Sequence, residues 1–324
     1  MLRAAGVRGM TAPIQVPPSR ALVYASADYD GLELRTMAQA CLLLVGESRL
    51  AQVLNDGRDP HLEMAAKMLG ITYDDAKAGR KDPARKAAID QARQAAKVAN
   101  FGFPGGLGAE KLVLFARKAY KVMLSVDGEG GLPSAKELKK TWLATFPEFR
   151  KYFAAINTMI DERTGYATFA HFMSGRIRGN AHYCAACNSF FQGLGADATG
   201  NAAFLISEAC YVPTPCHRCD GSGYGPPEAG WAPCPTCAGS GVSPLYGTRM
   251  VNYVHDEFIL ECPEERGHEV AHELVRLMVE GAAPYLPDVP ARAEPKLMRF
   301  WSKDAEQVWE GSGEQRRLVP WPKN

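Results

Sequence analysis

The segment Pro213–Pro244 constrains this chain more than any other. It is rich in proline, glycine and cysteine and nearly free of aliphatic side chains, so it reads as an inserted module and not as part of a hydrophobic core. It repeats one pattern, Cys216-x-x-Cys219-x-Gly-x-Gly and Cys234-x-x-Cys237-x-Gly-x-Gly. Each CxxC forms a tight knuckle that can point two thiolates at one ion, and the glycines let the chain fold back around it. Four thiolates make a closed tetrahedral site for one structural zinc ion, with free or redox-active thiols as the alternative. Nine cysteines, an odd number, fit a reducing compartment better than a disulfide framework. The separate pair Cys184 and Cys187 lies in an apolar, helical setting and reads as buried packing.

Around this module, 324 residues with 46% hydrophobic and 23% charged side chains suffice for one elaborate domain or two. The opening MLRAAGVRGM is not followed by an apolar core of signal-peptide length, and no stretch approaches the roughly 20 apolar residues of a membrane span. A cytoplasmic location without membrane contact is expected. The net charge of +1 hides an asymmetry. From Lys77 to Lys121 the cations Lys77, Arg80, Lys81, Arg85, Lys86, Arg93, Lys97, Lys111, Arg117, Lys118 and Lys121 are opposed only by Asp82, Asp90 and Glu110. That is a footprint for phosphate or a solvated helix face.

Periodicity predicts a buried strand over Ala21–Ser26 ending at Asp28, and helical pattern from Leu32 to Leu54. Helices follow at His61–Leu69, closed by Gly70, and from Pro83 to about Phe101. Others are expected at Ala109–Tyr120, Ala135–Thr145 and Pro147–Glu162, then a hairpin over Tyr166–Gly179. A helix from about Ala181 to Tyr211 is interrupted by Gly193 and Gly195, which leaves its continuity open. Arg249–Glu261 (RMVNYVHDEFILE) reads as a hairpin whose tip is His255-Asp256. A helix over Glu265–Tyr285 and a short strand near Val289–Glu294 complete the pattern.

Three segments carry chemistry. Asp28-Tyr29-Asp30-Gly31-Leu32-Glu33-Leu34-Arg35 places an acid where a buried strand meets a helix; alone, it could be a helix cap. In Arg93-x-x-x-Lys97-x-x-x-Phe101-Gly102 the i, i+4, i+8 spacing lines two cations and an aromatic ring along one helix face, suited to a triphosphate and a base. Tyr253-Val254-His255-Asp256-Glu257 presents a carboxylate on a hairpin tip.

In this order the three resemble motifs A, B and C of family A (polymerase I-like) DNA polymerases, of the phage type. The resemblance implies an α+β fold: an antiparallel palm sheet with inserted helical fingers, here carrying the small zinc-bound insertion. Residues 1–35 would be a first palm segment, 36–180 mainly fingers, 181–324 the rest of the palm, and 213–244 the zinc knuckle, which resembles the cysteine-rich repeats of DnaJ-type proteins. It also implies DNA-directed DNA polymerase activity in replication or repair, with primer–template DNA and deoxynucleoside triphosphates as partners, in a bacterial or phage-infected cell. Asp28 and Asp256 would hold two magnesium ions, with Glu257 supporting them. Arg93, Lys97, Phe101 and His61 (in Asp59-Pro60-His61) would contact the nucleotide, and Glu33 would exclude a ribose 2′-hydroxyl. Asn188, Gln192 (in Gln192-Gly193-Leu194-Gly195-Ala196-Asp197) and His255 would face DNA, where amides can bond acceptors that every base pair offers in the minor groove.

The chain departs from the family pattern in Phe103-Pro104-Gly105-Gly106, where a tyrosine is common, in Gly31 for glutamine, and in Cys184 for arginine. With only 27 residues before Asp28, the expectation is a fragment, a split polymerase whose thumb or exonuclease comes from a separate chain, or a reduced enzyme; the alternative is a non-catalytic DNA-binding fragment or subunit that needs a partner chain for the thumb.

Overall fold

The computed structural model describes residues 21–131, 133–225 and 232–322. The opening decapeptide and the residues 226–231 of the insertion lie outside them. The chain divides into two compact units: one of Met1–Asp28, Phe204–Leu277 and Ala293–Asn324, the other of Tyr29–Ala203 and Met278–Arg292.

The first unit is built on a four-stranded sheet. Its strands are β1 (Leu22–Tyr29), β4 (Arg249–Val254), β5 (Glu257–Pro263) and β6 (Ala293–Met298), in the order β4-β5-β1-β6. β5 runs antiparallel to both β1 and β4. Opposed pairs Val23–Cys262, Ala25–Leu260 and Ala27–Phe258 are all buried, the signature of one face turned to the core. The helix α10 (Gly267–Ala282) begins against this sheet: a Cβ on Gly267 would sit 3.0 Å from Leu297 and 3.5 Å from Val23. A hairpin of β7 (Val308–Glu310) and β8 (Arg317–Val319) completes the described part.

The second unit is mostly helical: α1 (Leu32–Val45), α2 (Arg49–Asn55), α3 (Pro60–Leu69), α4 (Tyr73–Gly79), α5 (Pro83–Gly102), α6 (Ala109–Phe115), α7 (Ala135–Thr145) and α8 (Glu148–Thr158). A hairpin of β2 (Ala167–Ala170) and β3 (Ile177–Ala181) follows, then α9 (Tyr183–Tyr211), the helix in which the division between units falls. Its core is aromatic: Trp142 packs on Phe103 and Phe149 at centroid distances of 5.4 and 4.6 Å.

Several expectations are corrected. The helical stretch 32–54 is two helices, because Gly46 closes α1 in the left-handed conformation and Ser48 caps α2. The helix expected to Glu162 ends at Thr158, and the strand expected near Val289–Glu294 lies at Ala293–Met298, with β7 and β8 following it unforeseen. Gly193 does not break α9. It lies against the His171 ring, leaving no room for a Cβ, so its glycine serves a close approach.

Glu148 joins α8 to the start of α2. Its carboxylate is 1% exposed and accepts from Leu50 N at 2.8 Å and Ser48 Oγ at 3.2 Å. Burial raises its pKa above the ordinary value despite those bonds. We expect Glu148→Ala to destabilise the fold by about 2 kcal/mol in denaturant titration, because both donors lose their acceptor, and Glu148→Gln to cost about half as much or less.

Candidate active site

In β1 the buried apolar side chains Val23, Ala25, Ala27 and Tyr29 take the odd positions, and Asp28 shares the opposite face with Ser26, which is itself buried. Asp28 pairs directly with Glu257, the first residue of β5. Directly opposed residues share a face. The β4–β5 turn is His255-Asp256, with His255 left-handed at φ 57°. The Asp256 carboxyl is close enough to Asp28 for a side-chain hydrogen bond. The register therefore gathers three carboxylates, Asp28, Asp256 and Glu257, at one end of the sheet. Burial first, then the charges of Asp256 and Glu257, raise Asp28 to about 6, with Lys296 acting against them.

The turn after Asp28 is held within the second unit by Arg35, which is 3% exposed. Its guanidinium donates to Asp30 O at 2.9 Å and Pro290 O at 2.8 Å, and reaches Asp30 Oδ2 at 3.4 Å. Gly31 caps α1 at φ 61°, a left-handed conformation in which a side chain is strained. This accounts locally for glycine in place of glutamine.

On α5 the spacing of Arg93, Lys97 and Phe101 gives the expected shared face, and all three are half-buried. Asp59 caps α3, accepting from His61 N at 2.8 Å, and also accepts from Arg93 Nε at 2.6 Å. Burial disfavours its ionised form, but Arg93 outweighs this and the carboxyl titrates below the usual range. Arg93 is thus engaged by an anion. Lys97 forms no ion pair among the described residues. His61 is buried, and its Nδ1 accepts from Asn100 Nδ2 at 2.8 Å, which assigns the ring proton to Nε2. Burial, then the charges of Arg93 and Lys97, lower its pKa to about 4 against the pull of Asp59, so it is neutral at pH 7. The His61 and Phe101 rings meet at 5.5 Å.

Gln192 Nε2 donates to Glu33 Oε1 at 2.8 Å, joining two residues that sequence had given separate roles. Asn188 Nδ2 bonds Cys184 O one turn back, and its side chain abuts Gly105. Asp197 pairs with Arg176 at 2.7 Å, a hairpin contact that no motif indicated.

In the insertion, the sulfurs of Cys216, Cys219, Cys234 and Cys237 lie within 4.8 Å of one another, and Cys219 and Cys237 are 3.7 Å apart. Tetrahedral ligands about 2.3 Å from zinc would be about 3.8 Å apart, so the set fits. The two repeats interlock reciprocally: Cys216 N donates to Gly241 O and Cys234 N to Gly223 O. Gly223 and Gly241, at φ 79° and 75°, donate from their backbone N to Cys219 and Cys237 sulfurs. A Cβ on either would strike the other repeat's backbone. The knuckle rests on α10, where His217 Nδ1 meets the buried Glu273 carboxylate at 2.9 Å.

Residues 12–303 match the model of DNA polymerase family A, and the chain belongs to that family. It is 23% identical over 278 residues to DNA polymerase I of Aquifex aeolicus, covering 86% of this chain and 39% of that protein. It is 28% identical over 282 residues to the thermostable DNA polymerase I of Thermus filiformis, covering 85% of this chain and 26% of that one. The chain thus spans two fifths or less of these relatives. The POL domain of Pol1 from M. smegmatis, solved in complex with DNA primer-template and dNTP, shares the fold with a TM-score of 0.55 at 22% identity, over 88% of this chain and 41% of that one. The mixed helical and antiparallel-sheet architecture is that of a polymerase domain. Among the described residues no helix is long and apolar enough to cross a membrane.

The raised pKa of Asp28 has a thermodynamic consequence. The folded value of about 6 lies above the unfolded one, so the protonated form favours folding below about pH 4, and that contribution is lost as pH rises through 6. In metal-free protein Asp28→Asn should therefore raise Tm at pH 8 and have little effect at pH 4, as read by thermal unfolding at both pH values.

Proposed function

We propose that the chain is the nucleotidyl-transfer part of a DNA-directed DNA polymerase, adding deoxynucleotides to a primer 3′ end in replication or repair. The observation that carries this is the β1–β5 register, which pairs Asp28 with Glu257 beside the Asp256 turn. The three carboxylates offer hard oxygen donors suited to magnesium, and a divalent cation would relieve the repulsion from Asp256 and Glu257 that adds to burial in lifting Asp28. Two bound magnesium ions, held by Asp28 and Asp256, would lower the pKa of the primer hydroxyl and offset charge on the departing pyrophosphate.

The remaining roles belong to the chain's own side chains. Lys97 meets the phosphate under attack, and Arg93 the outer phosphates, exchanging the Asp59 carboxylate for a phosphate oxygen. Neutral His61 donates from Nε2. Phe101 lies against base and sugar, and Glu33, held by Gln192, faces the sugar and excludes a ribose 2′-hydroxyl. Asn188, Gln192 and His255 approach primer–template DNA. The solved M. smegmatis neighbour binds the same two ligands, primer-template and dNTP. The sheet-bearing unit corresponds to palm, and the helices of residues 36–180 mainly to fingers.

Extension of a labelled primer–template with magnesium and deoxynucleotides tests this reading. The chain should extend the primer, and Asp28→Ala and Asp256→Ala should each reduce the rate by about a thousandfold or more, as expected for losing a metal-bridging carboxylate. Equal rates in variants and wild type would refute it.

One zinc ion in the Cys216, Cys219, Cys234 and Cys237 site would fold the insertion without taking part in chemistry. Metal analysis should give one zinc per chain, absent in Cys219→Ser/Cys237→Ser. That variant should open the insertion to proteolysis while the remainder stays protected.

A further inference from the structure

The α5 face is continued by a residue that no motif pointed to. α6 ends in a π-helical turn, Ala116–Tyr120, and Lys121 then adopts a left-handed conformation at φ 57°. A π turn inserts an extra residue and so shifts later side chains around the helix axis. Such turns, like left-handed non-glycine residues, persist where the surroundings demand them and cluster at functional sites. Here the outcome is the placement of Tyr120. Its ring lies nearly parallel to that of Phe101, 12° apart with centroids at 6.4 Å, and Phe115 meets it edge-on at 5.4 Å. Phe101 is thus flanked by Tyr120 and by His61.

Glu33 completes the group. Burial, and then the Glu33 charge, raise the Tyr120 phenol above its ordinary range, so the carboxylate lies within electrostatic reach of the hydroxyl. Gln192 in turn fixes Glu33. The stretch after α5, Phe103-Pro104-Gly105-Gly106, cannot supply a ring at Gly105. A Cβ there would come within 2.7 Å of the Asn188 side chain.

We infer that Tyr120 is a positioning and specificity-determining residue of the nucleotide site: its ring fixes the plane of Phe101, and its hydroxyl, within reach of the Glu33 charge, limits the approach of a sugar bearing a 2′-hydroxyl. The inference rests on the α5 face being the triphosphate site, as proposed above. Because Tyr120 acts through Phe101 and Glu33, its removal should change nucleotide affinity and sugar preference, not the dependence on the carboxylates of Asp28 and Asp256.

Equilibrium binding of dATP and of ATP tests it, using the full chain with magnesium and a primer–template whose primer lacks a 3′-hydroxyl. Wild type is compared with Tyr120→Phe, Tyr120→Ala and Lys97→Ala. Tyr120→Ala should weaken dATP by about tenfold and narrow the deoxy-over-ribo preference, as loss of a pocket contact does. Tyr120→Phe, which keeps the ring and the packing, should hold dATP within about twofold yet narrow the preference by about threefold or more. Lys97→Ala should weaken both nucleotides by about tenfold or more, reporting on the underlying site alone. An unchanged preference in both Tyr120 variants, with Lys97→Ala behaving as expected, overturns the inference and leaves the site standing. Absence of dATP binding in wild type, or binding indifferent to Lys97→Ala, overturns both.

Discussion

The pairing of β1 with β5 is the constraint on which the carboxylate cluster depends. Strand side chains alternate between faces, so a register that opposes Val23 to Cys262 and Ala25 to Leu260 must oppose Asp28 to Glu257 on the other face. A slip of one residue would turn the buried apolar set outward and carry the acids into the core, a cost far larger than their mutual repulsion. Apolar burial along Val23, Ala25, Ala27, Phe258, Leu260 and Cys262 therefore holds together like charges that would otherwise separate. Burial first, and then the neighbouring charges of Asp256 and Glu257, shift Asp28 upward.

The α5 face follows the opposite electrostatic rule. Its cations are already balanced in part, since Asp59 both caps α3 and engages Arg93. His61 is held neutral and keyed to Asn100, so it offers a directed donor without adding charge. An anion arriving at such a face meets preoriented groups. Reorganisation is confined largely to one ion pair, which exchanges a carboxylate for another oxygen anion.

Much of this was legible in sequence. The strand ending at Asp28 and the hairpin tipped by His255-Asp256 follow from alternation, and α7 and the start of α5 follow from periodicity and proline placement. The face Arg93, Lys97, Phe101 could be read because an uninterrupted α-helix keeps i, i+4 and i+8 in line. Tyr120 could not, because it ends a π turn, Ala116–Tyr120, that departs from 3.6-residue spacing. The bond between Gln192 and Glu33 spans 159 residues, beyond any local pattern. Gly193 was ambiguous for a related reason: its use lies in His171, on a different element. β7 and β8 are three residues each, too short for alternation to register. The helix α4 did carry a signal, the capping box of Thr72 and Asp75, that would have located it.

Manganese binding, followed by electron paramagnetic resonance on DNA-free protein, tests most directly whether the β1–β5 register builds a divalent-cation site from both strands. The account predicts saturable binding that is lost in Asp28→Asn and equally in Asp256→Asn, while both variants keep the wild-type fold. Binding that survives either substitution unchanged would mean that Asp28 and the Asp256 of the β4–β5 turn do not form one site, and would contradict the account.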